Sequence, residues 1–439
     1  MLLVARPLTI IRPARPVPAN TPPDCPVKFF IRTLGCKVNQ LDSARLAESL
    51  VLAQHEQVTS ADLADCVIVN SCTVTSVSDH KSRQVARTAH KMGKRVVVIG
   101  CGPRVDKQRW QREFSNNTSD PSDTFGCPEV VSSDDELCAK LNVTLTNGCP
   151  SLPERTRVPI LVQSGCDNAC SFCITHVARG PHHSVPVENV VAHVACAVER
   201  GAKEVVLTGI NLGAWGCRSS RNPEQSQLVQ LLTALLDQTS VPRIRLSSLG
   251  PSYVSQSLLQ LLANDRLCDH LHLSVQSGSA TVLQRMARDY DSQRVIDIAR
   301  AARGYRPDIA LTADMIVGFP GETDRDFDQT MELARDVQFA KLHVFPYSAR
   351  QGTPGAAMPE QVPAEQKRTR ARLLRQLGTR SRQAFVASQM GKTVVALVQG
   401  DGTAMTTNYI ALRLHEPHPE GSLVTMTICP QDVIYESEA

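Results

Sequence analysis

At 439 residues, 42% hydrophobic and 21% charged, the chain has an ordinary globular composition and enough length for two or three domains, each with its own core. A net charge of +4 permits a nucleic-acid partner without demanding one, and 4% aromatic content argues against recognition by a wide platform of stacked rings. No apolar run approaches the roughly 20 residues that span a bilayer, and fifteen scattered cysteines without an export signal point to reduced, metal-binding thiols in the cytoplasm rather than a disulfide framework.

Residues 1–27 are rich in arginine and proline, with Arg6 and Arg12 breaking any apolar centre, and are expected to form a disordered leader. From Lys28, strands alternate with helices. "KFFIRTLGC" reads as a strand ending at Cys36, and "DSARLAESLVLAQ" as an amphipathic helix capped by Asp42. "CVIVNSC" is a buried strand running into Cys72, "SDHKSRQVARTAHKMG" a helix closed by Gly93, and "KRVVVIGC" a strand ending at Cys101. Such alternation implies a parallel sheet, and ligand sites of parallel sheets gather just beyond the strand ends. Cys36, Cys72 and Cys101 each follow a strand directly, so they could converge although 36 and 29 residues separate them. Residues 106–150 are polar, rich in turn formers and without pattern; they read as the end of a first domain, 28–150, plus a loose connection.

A second α/β series spans 151–375. Its strand candidates lie at 157–163, 204–209, 243–249, 270–276, 309–319 and 340–347, separated by helical segments such as "LVQLLTALLDQ". Six such units suit an open, partial (β/α)6 barrel whose mouth admits a bulky substrate. Barrel chemistry sits on the loops after the strands, and "SGCDNACSFC" follows the first strand. A basic helical stretch comes next, carrying Lys367, Arg368, Arg370, Arg372, Arg375, Arg380 and Arg382. A run of this kind is commonly a solvated helix face; beside an RNA-binding unit it would supply phosphate contacts. The short strands of 376–439 suggest a five-strand barrel of the oligonucleotide-binding kind. Removing the chain after about Arg380 is then expected to weaken RNA binding and spare the chemistry of the barrel.

The segment "GCDNACSFCITHVARG" holds three thiols in eight residues and stops at three. A 4Fe-4S cluster has four irons, each wanting a terminal ligand, usually cysteine. Cys166, Cys170 and Cys173 would supply three and leave one iron open to chelate a small molecule. Zinc is the alternative, with His176 as fourth ligand. The C-x3-C-x2-C arrangement resembles the signature of radical S-adenosylmethionine enzymes, a superfamily built on a partial (β/α)6 barrel.

Further segments resemble one family within it. "TLGCKVNQLDS", "VNSCTVT" and "VVVIGC" are similar to the cysteine segments of the methylthiotransferase N-terminal domain. "LTGINLGAWG", "RLSSL", "HLHLSVQSGSATVLQRM", "DMIVGFPGET" and "HVFPYSARQGTP" are similar to its barrel segments, and the tail to its TRAM domain, a small RNA-binding barrel. "GCKVNQ" and "HVFPYS" resemble the branch acting on N6-threonylcarbamoyladenosine in tRNA. The resemblance implies that Cys36, Cys72 and Cys101 hold an auxiliary 4Fe-4S cluster, and Cys166, Cys170 and Cys173 the radical cluster. It implies two uses of S-adenosylmethionine, one as methyl donor and one as radical source, and delivery of sulfur to adenine C2. An electron donor of the flavodoxin or ferredoxin type is implied as well. Gly209, Asn211 and Gly318 would contact S-adenosylmethionine, although ordinary strand-to-loop turns account for them equally well. The chain departs from the family pattern at Ser164, Ala169 and Gly250. Two other readings stand beside this one: the isopentenyladenosine branch, and a non-catalytic metal-containing RNA-binding protein.

Overall fold

The computed structural model describes residues 26–73, 76–115, 127–146 and 156–435; the expected leader, up to residue 25, lies outside them. The first unit comprises β1 (Lys28–Thr33), α1 (Lys37–Leu52), β2 (Glu56–Gln57), β3 (Cys66–Ser71), α2 (Ser76–Lys91), β4 (Arg95–Gly100), α3 (Cys101–Ser115), β5 (Glu129–Val130) and α4 (Asp134–Leu141). Its strands pair in parallel in the order β2-β1-β3-β4-β5. Alternate residues of the β-branched runs point to opposite faces, so Ile68 and Val97 join one apolar cluster while Val67, Val69, Val96 and Val98 join the other.

Three sequence expectations need correction here. β1 stops at Thr33, short of Cys36, because Gly35 turns the chain with φ +102°. α1 begins at Lys37 with Cys36 as its N-cap, so Asp42 lies inside the helix and caps nothing. Within 106–150, the described residues 106–115 and 127–146 are also more ordered than their composition suggests. α3 runs to Ser115 because Trp110 and Phe114 are buried against the sheet, and α4, capped by Ser133, seats Leu137 and Leu141 on the other face.

The second unit comprises β6 (Arg157–Ser164), α5 (Thr175–Arg179), β7 (His183–Ser184), α6 (Val187–Glu199), β8 (Glu204–Gly209), α7 (Leu228–Gln238), β9 (Arg243–Leu246) and α8 (Gln256–Leu261). It continues with β10 (His270–Gln276), α9 (Ala280–Arg285), α10 (Ser292–Tyr305), β11 (Ala310–Val317), α11 (Asp324–Val337), β12 (Lys341–Pro346) and α12 (Pro354–Ala357). β6, β8 and β9 pair in parallel, as do β10, β11 and β12, and the parallel bridges Ile244–Leu267 and Leu249–Leu273 join the two sets. The result is the expected six-strand arc. Alternation divides its faces: Leu271, Leu273 and Val275 of β10 enter the main core beneath the helices, while His270 and His272 turn inward.

α13 (Ala364–Ser388) carries the chain into the third unit: β13 (Thr393–Val398), β14 (Thr403–Thr406), β15 (Ala411–Arg413), β16 (Leu423–Thr427) and β17 (Val433–Ile434). These pair antiparallel in the order β16-β13-β14-β15-β17, a sheet of the small-barrel kind. Ala371, Leu374 and Leu377 of α13 belong to the core of the second unit, and Phe385 packs against that of the third. A shared helix, with no linker at 375–376, therefore connects them.

Candidate functional site: two cysteine centres

The first centre forms where three loops of the parallel sheet meet. Cys36 precedes α1, Cys72 follows β3 and Cys101 opens α3; Cys72 and Cys101 are buried and Cys36 is exposed. A Cβ on Gly35 would lie 2.6 Å from the Cys72 sulfur, so only glycine lets the Cys36 loop approach that closely. Two asparagines, unmarked by sequence reasoning, tie the loops together. Asn39 donates from Nδ2 to the carbonyls of Leu34 and Ser71, both at 2.9 Å, and the Cys36 and Cys101 sulfurs each lie 3.8 Å from its Oδ1. Asn70 donates from Nδ2 to the Asn39 carbonyl at 2.9 Å. A polar residue inside the apolar run "VIVNS" was the available signal.

The second centre lies beyond β6. Gly165, at φ +69°, passes so close to the Pro181 carbonyl that a Cβ would sit 1.8 Å from it, and this turn swings the cysteine loop across the end of the arc. Hydrogen bonds reach each sulfur. Arg288 Nη1 donates to Cys170 at 3.4 Å, the Thr175 amide to Cys173 at 3.3 Å, and the Ser220 hydroxyl lies 3.7 Å from Cys166. Such bonds stabilise thiolate over thiol and tune any cluster bound there. They counter burial, which pushes the Cys166 and Cys170 thiols up; the Arg288 guanidinium pulls the second back down. Neighbouring cysteines also push the Cys166 and Cys170 thiols up, and among the described residues no three His, Cys, Asp or Glu side chains are gathered as a site for a single metal ion.

Arg179 joins the centres. It sits on α5, six residues after Cys173, and reaches into the first unit, where it donates to Asp42 at 2.6 Å and to Asn39 Oδ1. Burial raises the Cys101 thiol, and the Arg179 charge pulls it back down.

Gly209 and Asn211 lie beside the second centre. Buried Gln163 accepts from the Asn211 amide at 2.7 Å and donates to the Gly165 carbonyl at 2.7 Å, while Asn211 Nδ2 donates to the Tyr253 hydroxyl at 2.9 Å. Gly318 is placed differently. Its amide donates to Glu322 at 2.9 Å, and the Lys367 side chain covers it so closely that a Cβ would meet Cγ at 2.1 Å. That face is closed to a ligand.

The basic run also divides. Arg370 is buried, paired with Glu322 and with Asp324 at 2.8 Å each, and Lys367 donates to the Tyr347 carbonyl at 3.2 Å. Neither is available to phosphate, because one fills a core position of α13 and the other closes over Gly318. Arg375 and Arg382 donate to the carbonyls of Val344 and Tyr409, while Arg368, Arg372 and Arg380 point outward. Replacing Arg370 by alanine should therefore cost about 3–5 kcal/mol by stranding Glu322, read as a lowered denaturation midpoint. Reversing Arg368, Arg372 and Arg380 to glutamate should leave that midpoint within a few degrees and flatten the salt dependence of RNA binding.

Residues 160–334 match the model of the Radical SAM superfamily, and residues 28–119 that described as Uncharacterized protein family UPF0004. The chain is 32% identical to the threonylcarbamoyladenosine tRNA methylthiotransferase MtaB of Rickettsia prowazekii, over 88% of this chain and 90% of that one. The protein of the same name from Bacillus subtilis is 33% identical over 83% of each chain. A tRNA-2-methylthio-N(6)-dimethylallyladenosine synthase from Rickettsia conorii is 32% identical over 85% of this chain and 89% of its own. The solved structure of the radical S-adenosylmethionine methyltransferase TsrM from Kitasatospora setae shares the fold, at 13% identity, with a TM-score of 0.57 over 76% of this chain and 77% of that one.

Proposed function

The chain belongs to the methylthiotransferase family of radical S-adenosylmethionine proteins, and on that premise we propose that it places a methylthio group on C2 of N6-threonylcarbamoyladenosine in tRNA, beside the anticodon. The reading includes two 4Fe-4S clusters and two molecules of S-adenosylmethionine, with an electron donor of the flavodoxin or ferredoxin type. The observation that carries it is the pairing of two cysteine triads on separate units, bridged by Arg179. Cys166, Cys170 and Cys173 would hold the radical cluster, and Cys36, Cys72 and Cys101 the auxiliary one. With S-adenosylmethionine bound, the radical cluster supplies a radical that can take hydrogen from an aromatic carbon, a bond beyond ordinary acid–base catalysis.

The chain's own residues prepare that chemistry by position and charge. Arg288, the Thr175 amide and Ser220 steady the three sulfurs of the barrel loop. Gln163 fixes the 209–211 turn against that loop, where Gly209 and the Asn211 side chain would meet S-adenosylmethionine. Arg179 and Asn39 hold the first unit over the loop, so that sulfur held there would face the same nucleotide. The third unit and the outward arginines of α13 would track the tRNA backbone.

The isopentenyl branch remains the second reading, favoured by the dimethylallyladenosine synthase among the relatives. Nucleoside mass spectrometry of tRNA from a deletion strain tests the choice. The expected outcome is loss of 2-methylthio-N6-threonylcarbamoyladenosine with accumulation of its unthiolated precursor. Loss of the methylthio group from the isopentenyl nucleoside alone would move the protein to the other branch.

A further inference from the structure

The inner face of the six-strand arc is polar, and its charges do not balance. Glu204, at the start of β8, is shared by Arg245 at 2.6 Å and Arg243 at 3.7 Å. Asp314 on β11 is held by His272 on β10 at 3.0 Å. Two further cations face the same space, Arg157 at the start of β6 and Lys37 at the start of α1, and neither has a carboxylate within ion-pair distance among the described residues. The third unit forms the floor: Tyr409 stacks its ring under Arg245 at 4.1 Å, with Arg157 at 5.7 Å and His270 at 4.5 Å. Burial and the surrounding cations keep His270 neutral.

α1 packs against β6 and β8, and Lys37 at its start is an exposed side chain that feels the charges of Arg157, Arg245 and Glu204. The His270 imidazole, 6% exposed, spends Nε2 on Thr312 at 3.0 Å and leaves Nδ1 without a partner. The buried Ser247 hydroxyl, just past β9 on the same face as Arg243 and Arg245, is also unpartnered. Buried polar atoms rarely stay unsatisfied. Two such atoms beside two unpaired cations describe a site for a ligand with a carboxylate and additional hydrogen-bonding groups.

We propose that this polar inner face receives the N6 substituent of the substrate nucleoside, with Lys37 and Arg157 taking its carboxylate and His270 and Ser247 its hydroxyl or amide groups. The inference rests on the threonylcarbamoyladenosine reading and deepens it, because an isopentenyl group has neither charge nor polar atom to offer. Lys37 immediately follows Cys36 in the chain, so the residue that would select the substituent is carried by the loop that would hold the auxiliary cluster.

The test uses the reconstituted full chain and three synthetic anticodon stem-loops, bearing N6-threonylcarbamoyladenosine, its methyl ester, or isopentenyladenosine. The wild-type protein should bind the acid more tightly than the ester by a factor on the order of 10 to 100, the range of a charge-assisted hydrogen bond. Lys37→Met and Arg157→Met should each shrink that ratio towards one, and Lys37→Arg should retain most of it. The ratio separates recognition from structural damage, which weakens both RNAs alike. Arg157→Met, at the opposite end of β6 from the cysteine loop, decides the matter if Lys37→Met loses iron. An acid-to-ester ratio unchanged in Arg157→Met, or absent in the wild type while the acid RNA is methylthiolated, overturns the inference and leaves the proposed function intact. Methylthiolation of the isopentenyl RNA alone overturns both.

Discussion

Cys170→Ala should abolish formation of 5′-deoxyadenosine, whereas Cys72→Ala should retain it under strong reductant and add no methylthio group to tRNA. The asymmetry follows from placement. Cys170 is the middle cysteine of a loop positioned by Gly165 and Arg288 at the end of the arc, so its loss would remove a corner of the cluster proposed to cleave S-adenosylmethionine. Cys72 belongs to the other unit, which meets the barrel through the Arg179 bridge and the packing of α1 on β6 and β8. Each variant should keep one of two clusters, hence roughly four of about eight irons. Buried Cys72 packs against Gly35, so an unchanged circular dichroism spectrum has to accompany the result. Well-folded Cys72→Ala that methylthiolates tRNA at the wild-type rate would remove the first centre from sulfur delivery.

The second large effect concerns the third unit. Read from sequence, the tail was a separable module whose removal spares S-adenosylmethionine cleavage. The structure makes it the floor of the barrel. Arg245 donates to the carbonyls of Thr406 and Thr407, and Arg243 to those of Met405 and Val395. Deleting 390–439 removes these acceptors together with Tyr409 and opens the Arg245–Glu204 pair to water. The truncated chain should lose thermal stability and cleavage of S-adenosylmethionine together with tRNA binding. Arg245→Ala in the full chain should reproduce the stability loss at about 3–5 kcal/mol, because Glu204 would then be buried with its main partner gone. A truncated protein that melts with the full chain's midpoint and cleaves at its rate would restore the separable module.

Much of this architecture was legible because it rests on local patterns. The β-branched runs gave the strands, and the positions just past them placed Cys36, Cys72 and Cys101 at one sheet edge, although β1 ends at Thr33 and not at Cys36 itself. The segment "HLHLSVQ" even announced its polar inner face by alternation. Other features were illegible because their causes are distant in sequence. Arg179 meets Asp42 across 137 residues and Arg288 meets Cys170 across 118, and neither residue stands out among 47 lysines and arginines. Arg370 was misread with a clue in view: Arg370, Leu374 and Leu377 fall at i, i+4 and i+7, one buried stripe, while the charge run suggested a solvated face. The α4 segment escaped because its helix is only eight residues long and begins in the acidic stretch "DDE", so its cap was visible and its apolar face too short to register.

The most direct measurement is a competition in which the anaerobically reconstituted protein meets equal amounts of the threonylcarbamoyladenosine and isopentenyladenosine stem-loops, with S-adenosylmethionine and reductant, followed by nucleoside mass spectrometry. The account predicts a mass gain of one methylthio group on the threonylcarbamoyl nucleoside and none on the isopentenyl nucleoside. Methylthiolation of the isopentenyl RNA in preference, or 5′-deoxyadenosine formed with neither RNA modified, would contradict it.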